Sequence, residues 1–261
     1  MLERALPRFL AAPPEDLDAF VRASDPWLAP YCQFMVCKEE FGLGPFWEWP
    51  EEFRRPGPAV DALCAERRER YLYHQMTQYL FFGQWSRLKG YANGRGVRVI
   101  GDIPIYVSRD SVEMWSSPEL FVTDETGAPA LVAGTPPDQF CATGQYWGNP
   151  IYDWECMRED GYSWWVERLR SSLELYDLVR IDHFRGFESY WGEPFGVASS
   201  AAGSWRQGPE DGPLRARQAG AGGAPHHRRG PGLPDAGGPG PARCHGLSRH
   251  EDPAVWLRRP E

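Results

Sequence analysis

Apolar and polar positions alternate along most of this chain with periods that predict its elements. In residues 13–55, "PPEDLDAFVRAS" puts acids in a first helical turn and Leu17, Phe20 and Val21 at helical spacing. "PWLAPYCQFMVCKEEFG" continues toward a plausible stop at Gly42. The longest periodic segment is residues 59–92. Leu63, Tyr71, Met76, Tyr79, Leu80, Phe82 and Trp85 recur there at three- and four-residue steps, which predicts one long helix burying a broad face. "NGRG" at 93–96 breaks it, and "VRVIGDIPIYV" (97–107) reads as a core strand. Residues 108–155 read mostly as loop, dense in Trp, Tyr, Asn, Gln and Asp, and a loop that long is uncommon unless it has a job. A helix over 161–176 and a second strand over 177–184 follow. Strand, loop, helix, strand predicts an α/β architecture with a parallel sheet. A barrel with its site at the strand C-termini is one way to close it.

Beyond about residue 212 no period survives. Gly, Pro, Ala and Arg dominate 213–261, Lys is absent, and Trp256 is the one aromatic. One reading is a disordered basic tail.

Composition narrows the partners. The 261 residues suffice for one large domain or two small ones. The aromatic fraction of 14% can fill a core and leave ring faces over, and the C–H faces of sugars stack on such rings. An ordinary aromatic core accounts for the same composition. A net charge of -8 argues against a general nucleic-acid surface. The six cysteines form no CxxC pair, which predicts reduced thiols. No apolar run approaches the roughly 20 residues of a membrane span, and no secretory signal is evident, so the expectation is a cytoplasmic protein without membrane partners.

Two acids end apolar runs. Asp102 follows Val99, Ile100 and Gly101, and Asp182 follows Val179, Arg180 and Ile181. A carboxylate at that edge of a parallel barrel can attack an anomeric carbon and form a covalent glycosyl-enzyme. Arg180 lies two residues before Asp182 and points to the same side of the strand, where its charge would orient that carboxylate and keep it ionised. His183 and Arg185 can donate to sugar hydroxyls. The alternative is an Asp–Arg pair bracing a loop. His226 and His227 lack partners that would complete a metal-ligand set.

Three long motifs, "GDIPIYVSRDSVEMW", "AGTPPDQFCATGQYWGNPIYDW" and "YDLVRIDHFRGFESYW", resemble the 4-α-glucanotransferases of the amylomaltase type over about residues 30–212. The resemblance implies an incomplete (β/α)8 TIM barrel, residues 1–212, with a long substrate loop. It implies retaining transfer of an α-1,4-glucan segment between maltooligosaccharides without metal or organic cofactor. Asp182 matches the nucleophile, with Arg180 and His183 as its neighbours in the sugar subsite. Asp102 matches the acid of the "GD-P" strand end. Asp138, Gln145, Trp147 and Asn149 match a mobile loop lining the donor site. Cys141 departs from the family's usual Ser, which should alter loop packing more than chemistry.

Retention by this route needs a second carboxyl about 5–5.5 Å from the nucleophile. The family takes it from an "I-A-E-D-L-G" strand roughly fifty residues later, and a third carboxylate from a later His-Asp motif. This chain has "PHHRRGPGLP" (225–234) at the first of these places. Regrouping the codons by one base permits Ile-Ile at His226-His227 and Ala-Glu-Asp-Leu-Gly across Arg228–Leu233. A slip of the reading frame near Gly212 therefore accounts for the missing Glu and for the Gly/Pro/Ala/Arg excess. The competing reading is a genuine Arg-rich tail for an acidic partner. The family's opening segment is not found before residue 30, so Met1 reads as an internal start. The functional classes left open are a transglycosylase, a related α-glucan hydrolase and a catalytically dead glucan-binding fragment.

Overall fold

A computed structural model describes residues 2–139, 141–197, 199–222 and 255–258. They fall into two compact units. The first comprises Met1–Gly90 with Asp110–Ser117; the second takes up at Tyr91–Arg109 and again from Pro118.

The first unit is helical: α1 (Leu6–Ala11), α2 (Leu17–Glu40), α3 (Pro58–Glu66), α4 (Arg68–Asn93, whose last turn enters the second unit) and α5 (Val112–Ser116). One continuous helix, α2, runs through both Pro26 and Pro30. A proline inside a helix removes a hydrogen bond and costs roughly 3 kcal/mol. Burial of Leu28, Cys32, Phe34, Val36 and Cys37 on that helix offsets the loss. Gly42 ends α2 as expected: its φ of +66° lets the Leu43 N–H turn back to the Lys38 carbonyl.

The single helix expected over 59–92 is instead two, α3 and α4. Arg67 leaves helical geometry between them, and its guanidinium donates to Glu40 Oε2 at 2.9 Å. The broad buried face is a second correction. On α4 only His74 and Met76 are buried, whereas Phe81, Leu88 and Tyr91 are exposed.

The second unit holds the strands: β1 (Ile100–Pro104), β2 (Leu131–Thr135), β3 (Gln145–Pro150), β4 (Leu178–Asp182), β5 (Ser189–Pro194), β6 (Ser204–Gln207) and β7 (Val255–Arg258). Its helices are α6 (Trp154–Glu159), α7 (Ser163–Leu175) and α8 (Gly212–Gly222). β1 and β4 pair in parallel, and α7 lies between them in sequence and packs on β4, which makes one βαβ unit. β7 pairs antiparallel with the other edge of β4. The sheet is thus β1-β4-β7, and no closed barrel forms among the described residues. Closure needs parallel neighbours on both edges of every strand, and one βαβ unit supplies a single parallel pair. Exposed Val97 and Ile100 correct the expectation of a core strand over 97–107.

Residues 108–155 are mostly loop, as expected, with regular elements set into them. They contain α5 and the β2–β3 hairpin, which joins an antiparallel sheet of order β3-β2-β5-β6. Pairing with β5 makes strands of a stretch whose Gly and Pro content argues against them. The residues beyond 212, expected to lack structure, include α8 and β7. Pro213 is buried in the first turn of α8, and Gly212 lies against Tyr162, so close that an added Cβ would fall 2.7 Å from its hydroxyl. Both histidines of the rejected metal pair and the segment 225–234 lie outside the described residues. Among those described, no helix is long and apolar enough to cross a membrane, and no group of three or more His, Cys, Asp or Glu could hold a metal ion.

Candidate active site

The parallel register decides which charges meet. Asp102 on β1 stands beside Arg180 on β4, and Pro104 stands beside Asp182. Arg180 Nε donates to Asp102 Oδ1 at 2.9 Å and Nη2 to Asp182 Oδ1 at 2.5 Å, so one guanidinium bridges two carboxylates 80 residues apart in the chain. The side chains of Asp102 and Asp182 remain 57% and 59% exposed. Ion pairs that open to water add little stability. What this bridge supplies is orientation of both carboxylates at the strand rim.

β4 ends at Asp182, and the chain turns at once through His183, whose φ is +53°. The Gly186 N–H donates to the His183 carbonyl at 2.9 Å. An added Cβ at Gly186 would approach Ile105 Cδ1 to 2.8 Å, so glycine lets the turn lie against the end of β1. This turn brings the His183 ring edge-on to Trp147 on β3, with centroids 4.9 Å apart.

A recess of about 190 Å³ lies here, lined by Pro104, Ile105, Tyr106, Trp147, Asn149, Asp182 and His183. Trp147 Nε1 donates to Gln145 Oε1 at 3.0 Å, and Asn149 Nδ2 to the Val107 carbonyl at 2.8 Å, which fixes two of its walls. Asp138 does not line the recess. It sits in the β2–β3 connection, where its Oδ1 accepts from the Cys141 N–H at 2.7 Å. Cys141 Sγ in turn lies 3.0 Å from the Gly144 carbonyl, closing that connection on itself.

The structure also brings in residues that motif reading passes over. Arg168 on α7 donates to the carbonyls of Pro104 and Ile105 at 2.7 and 3.0 Å, and the Tyr152 hydroxyl donates to Ile105 at 2.9 Å. These bonds tie down the two carbonyls at the head of the recess. Tyr106 lines it beside His183, and burial pushes its phenol pKa well above the usual range, so the group stays protonated. The helical spacing of Trp164, Trp165 and Arg168 carries the only sequence signal for that clamp.

In this mixed α/β unit Asp182 lines an aromatic-walled recess at a parallel strand rim, and Arg180 bridges it to Asp102. Residues 1–224 match the Glyco_hydro_77 family, described as 4-alpha-glucanotransferase, and the chain belongs to that family. The match reaches residue 1, so the resemblance is not confined to residues after 30. The chain is 47% identical over 212 residues to a 4-alpha-glucanotransferase of Streptococcus pneumoniae, covering 80% of this chain and 42% of that protein. It is 45% identical to the Thermus thermophilus 4-alpha-glucanotransferase over 202 residues, covering 76% of this chain and 40% of that one. Among solved structures, the amylomaltase from Streptococcus agalactiae in complex with acarbose superposes with a TM-score of 0.79 at 39% identity, over 86% of this chain and 46% of that one. The chain therefore spans less than half the length of these relatives.

Proposed function

We propose that this chain is the nucleophile-bearing part of a 4-α-glucanotransferase acting on α-1,4-glucans. In this reading Asp182 attacks the anomeric carbon of a bound glucan. A C–O bond forms to its carboxylate, the glycosidic C–O bond breaks, and the leaving oxygen departs with the electron pair. Transfer of the glycosyl unit to the 4-hydroxyl of an acceptor glucan then restores the original configuration. Arg180 holds Asp182 toward the sugar. Asp102 and His183 contact sugar hydroxyls, Trp147 presents a ring, and Gln145 and Asn149 hold the donor wall, with Asp138 shaping the connection behind it. The acarbose bound to the Streptococcus agalactiae amylomaltase supports an α-glucan-like ligand for this recess.

The observation that carries the proposal is that Asp182 is the one carboxylate among the described residues lining the recess. The leaving oxygen needs a proton from a second carboxyl, worth roughly two to four decades in rate. The written sequence offers no "AEDLG" strand to supply it. The chain should therefore react with a donor whose leaving group needs no proton and be nearly inert toward maltotriose.

α-Maltotriosyl fluoride tests both halves, because its C–F bond breaks without acid assistance. Intact-mass measurement should find the chain heavier by one maltotriosyl unit, with the adduct absent from Asp182→Asn. Equal fluoride release by that variant would overturn the assignment. Acarbose binding without any adduct would favour the dead glucan-binding fragment. Restoring the shifted frame after Gly212 should yield a ladder of longer and shorter sugars from maltotriose, whereas shorter products alone would mark a hydrolase.

A further inference from the structure

Glu193 is fully buried on β5, a place where carboxylates are rare unless paired. Ser200 Oγ donates to its Oε1 at 3.1 Å, and its Oε2 has no partner among the described residues. Across the sheet Glu193 pairs with Val132 on β2. Gly134, two residues along β2, leaves the space the carboxyl occupies: an added Cβ there would fall 1.7 Å from Glu193 Oε1 and 2.5 Å from the Gln145 carbonyl. Gly144, at the far end of the β2–β3 connection, packs on Ser200, with an added Cβ 2.8 Å from the serine Cβ. The Glu193–Ser200 pair therefore sits against both stems of the hairpin that carries Gln145, Trp147 and Asn149.

The charged neighbours are few. β2 carries no ionisable residue. Tyr146 on β3 lies across from Gly134 and accepts from the Gly196 N–H. On β6, Arg206 is paired with Tyr190 and so lies on the opposite face of β5 from Glu193. Asp138 bonds within the connection. Arg109 stacks on Phe195, two residues beyond Glu193. None of these is a hydrogen-bonded cation for the carboxylate.

We infer that Glu193 is a positioning residue that holds the β2–β3 hairpin against β5 only while its carboxyl is protonated, so that glucan binding in the recess weakens as pH rises. The ligand part of this inference rests on the proposed function; the hairpin part does not. Burial raises the carboxyl above its ordinary value of 4.5. The sign follows from linkage. The opened hairpin, with Glu193 in water, loses its proton at lower pH than the closed one. The stabilisation is complete below the ordinary value and is lost as pH rises through the raised one. Between those two values the open fraction should grow about tenfold per pH unit.

Amide hydrogen exchange of the full chain, corrected for the intrinsic pH dependence of exchange, reads the hairpin without ligand. Between about pH 5 and about pH 8, protection of residues 131–135 and 145–150 should fall in the parent. It should stay flat in Glu193→Gln, which keeps the shape and cannot ionise. Ser200→Ala, which removes the one bond to the carboxyl, should lower protection at every pH and keep the slope. Acarbose affinity should follow the same profile. A parent and a Glu193→Gln variant with the same pH slope overturn the inference. Hairpin protection that follows pH while acarbose fails to bind at any pH leaves the hairpin part standing and refutes the proposed function, with the ligand part that rests on it.

Discussion

At the residue scale, Arg180 gives Asp182 and Asp102 a common donor, and the two contacts use different nitrogens of one planar group. Lysine keeps the charge but cannot present two nitrogens in a fixed fork. Arg180→Lys should slow formation of the maltotriosyl adduct by about tenfold, the lower end for a charged hydrogen bond, because both carboxylates face water. Rapid-quench mass measurement checks this, and an unchanged rate would remove the orienting role. The motif around Asp182 was legible because Leu178, Val179 and Ile181 mark a strand and the acid ends it. The bridge to Asp102 was not. Two acids far apart in sequence meet only once the register between β1 and β4 is known, and that register comes from packing and hydrogen bonding. Arg168 was hidden for the same reason, since its targets are backbone carbonyls that no side-chain pattern marks.

At the element scale, the hairpin β2–β3 is not legible in the sequence, and its second strand supplies Trp147 and Asn149 to the recess. Gly134, Gly148, Asn149 and Pro150 are poor strand formers, so the segment looks like loop until β5 pairs with it. The α3–α4 break is equally silent, because Arg67 carries no Gly or Pro signal. Helix α7, by contrast, was legible from its period: Trp165, Leu169, Ser172 and Leu173 are its buried residues and lie at helical spacing. Gly134→Ala tests the hairpin directly. Its new methyl would collide with Glu193 and the Gln145 carbonyl, so the unit should lose about 1–3 kcal/mol, read as a lower urea midpoint. A midpoint equal to the parent's would mean that β2 does not pack on Glu193 as described.

At the scale of the whole molecule, the chain spans less than half the length of its relatives, and among the described residues its sheet has one parallel strand pair where a barrel would have eight. The edge of β1 away from β4 has no strand partner among the described residues, and Ile100 and Val97 stand exposed beside it. Open apolar edges pair with copies of themselves. Sedimentation should therefore reveal concentration-dependent association, and Ile100→Lys should weaken it severalfold or more; a parent that stays monomeric at every concentration would contradict this.

The clamp between Arg168 and the head of the recess has a wider effect. The guanidinium lies 4.8 Å from the centre of the Trp165 ring and 5.2 Å from that of Trp164, while its nitrogens grip Pro104 and Ile105. Helix α7 thus acts as a lever whose short arm is the β1 terminus. Any sequence drift that slides α7 along its axis would widen or pinch the opening next to Asp182, so substitutions on that helix, remote from the recess walls, can retune what the recess admits.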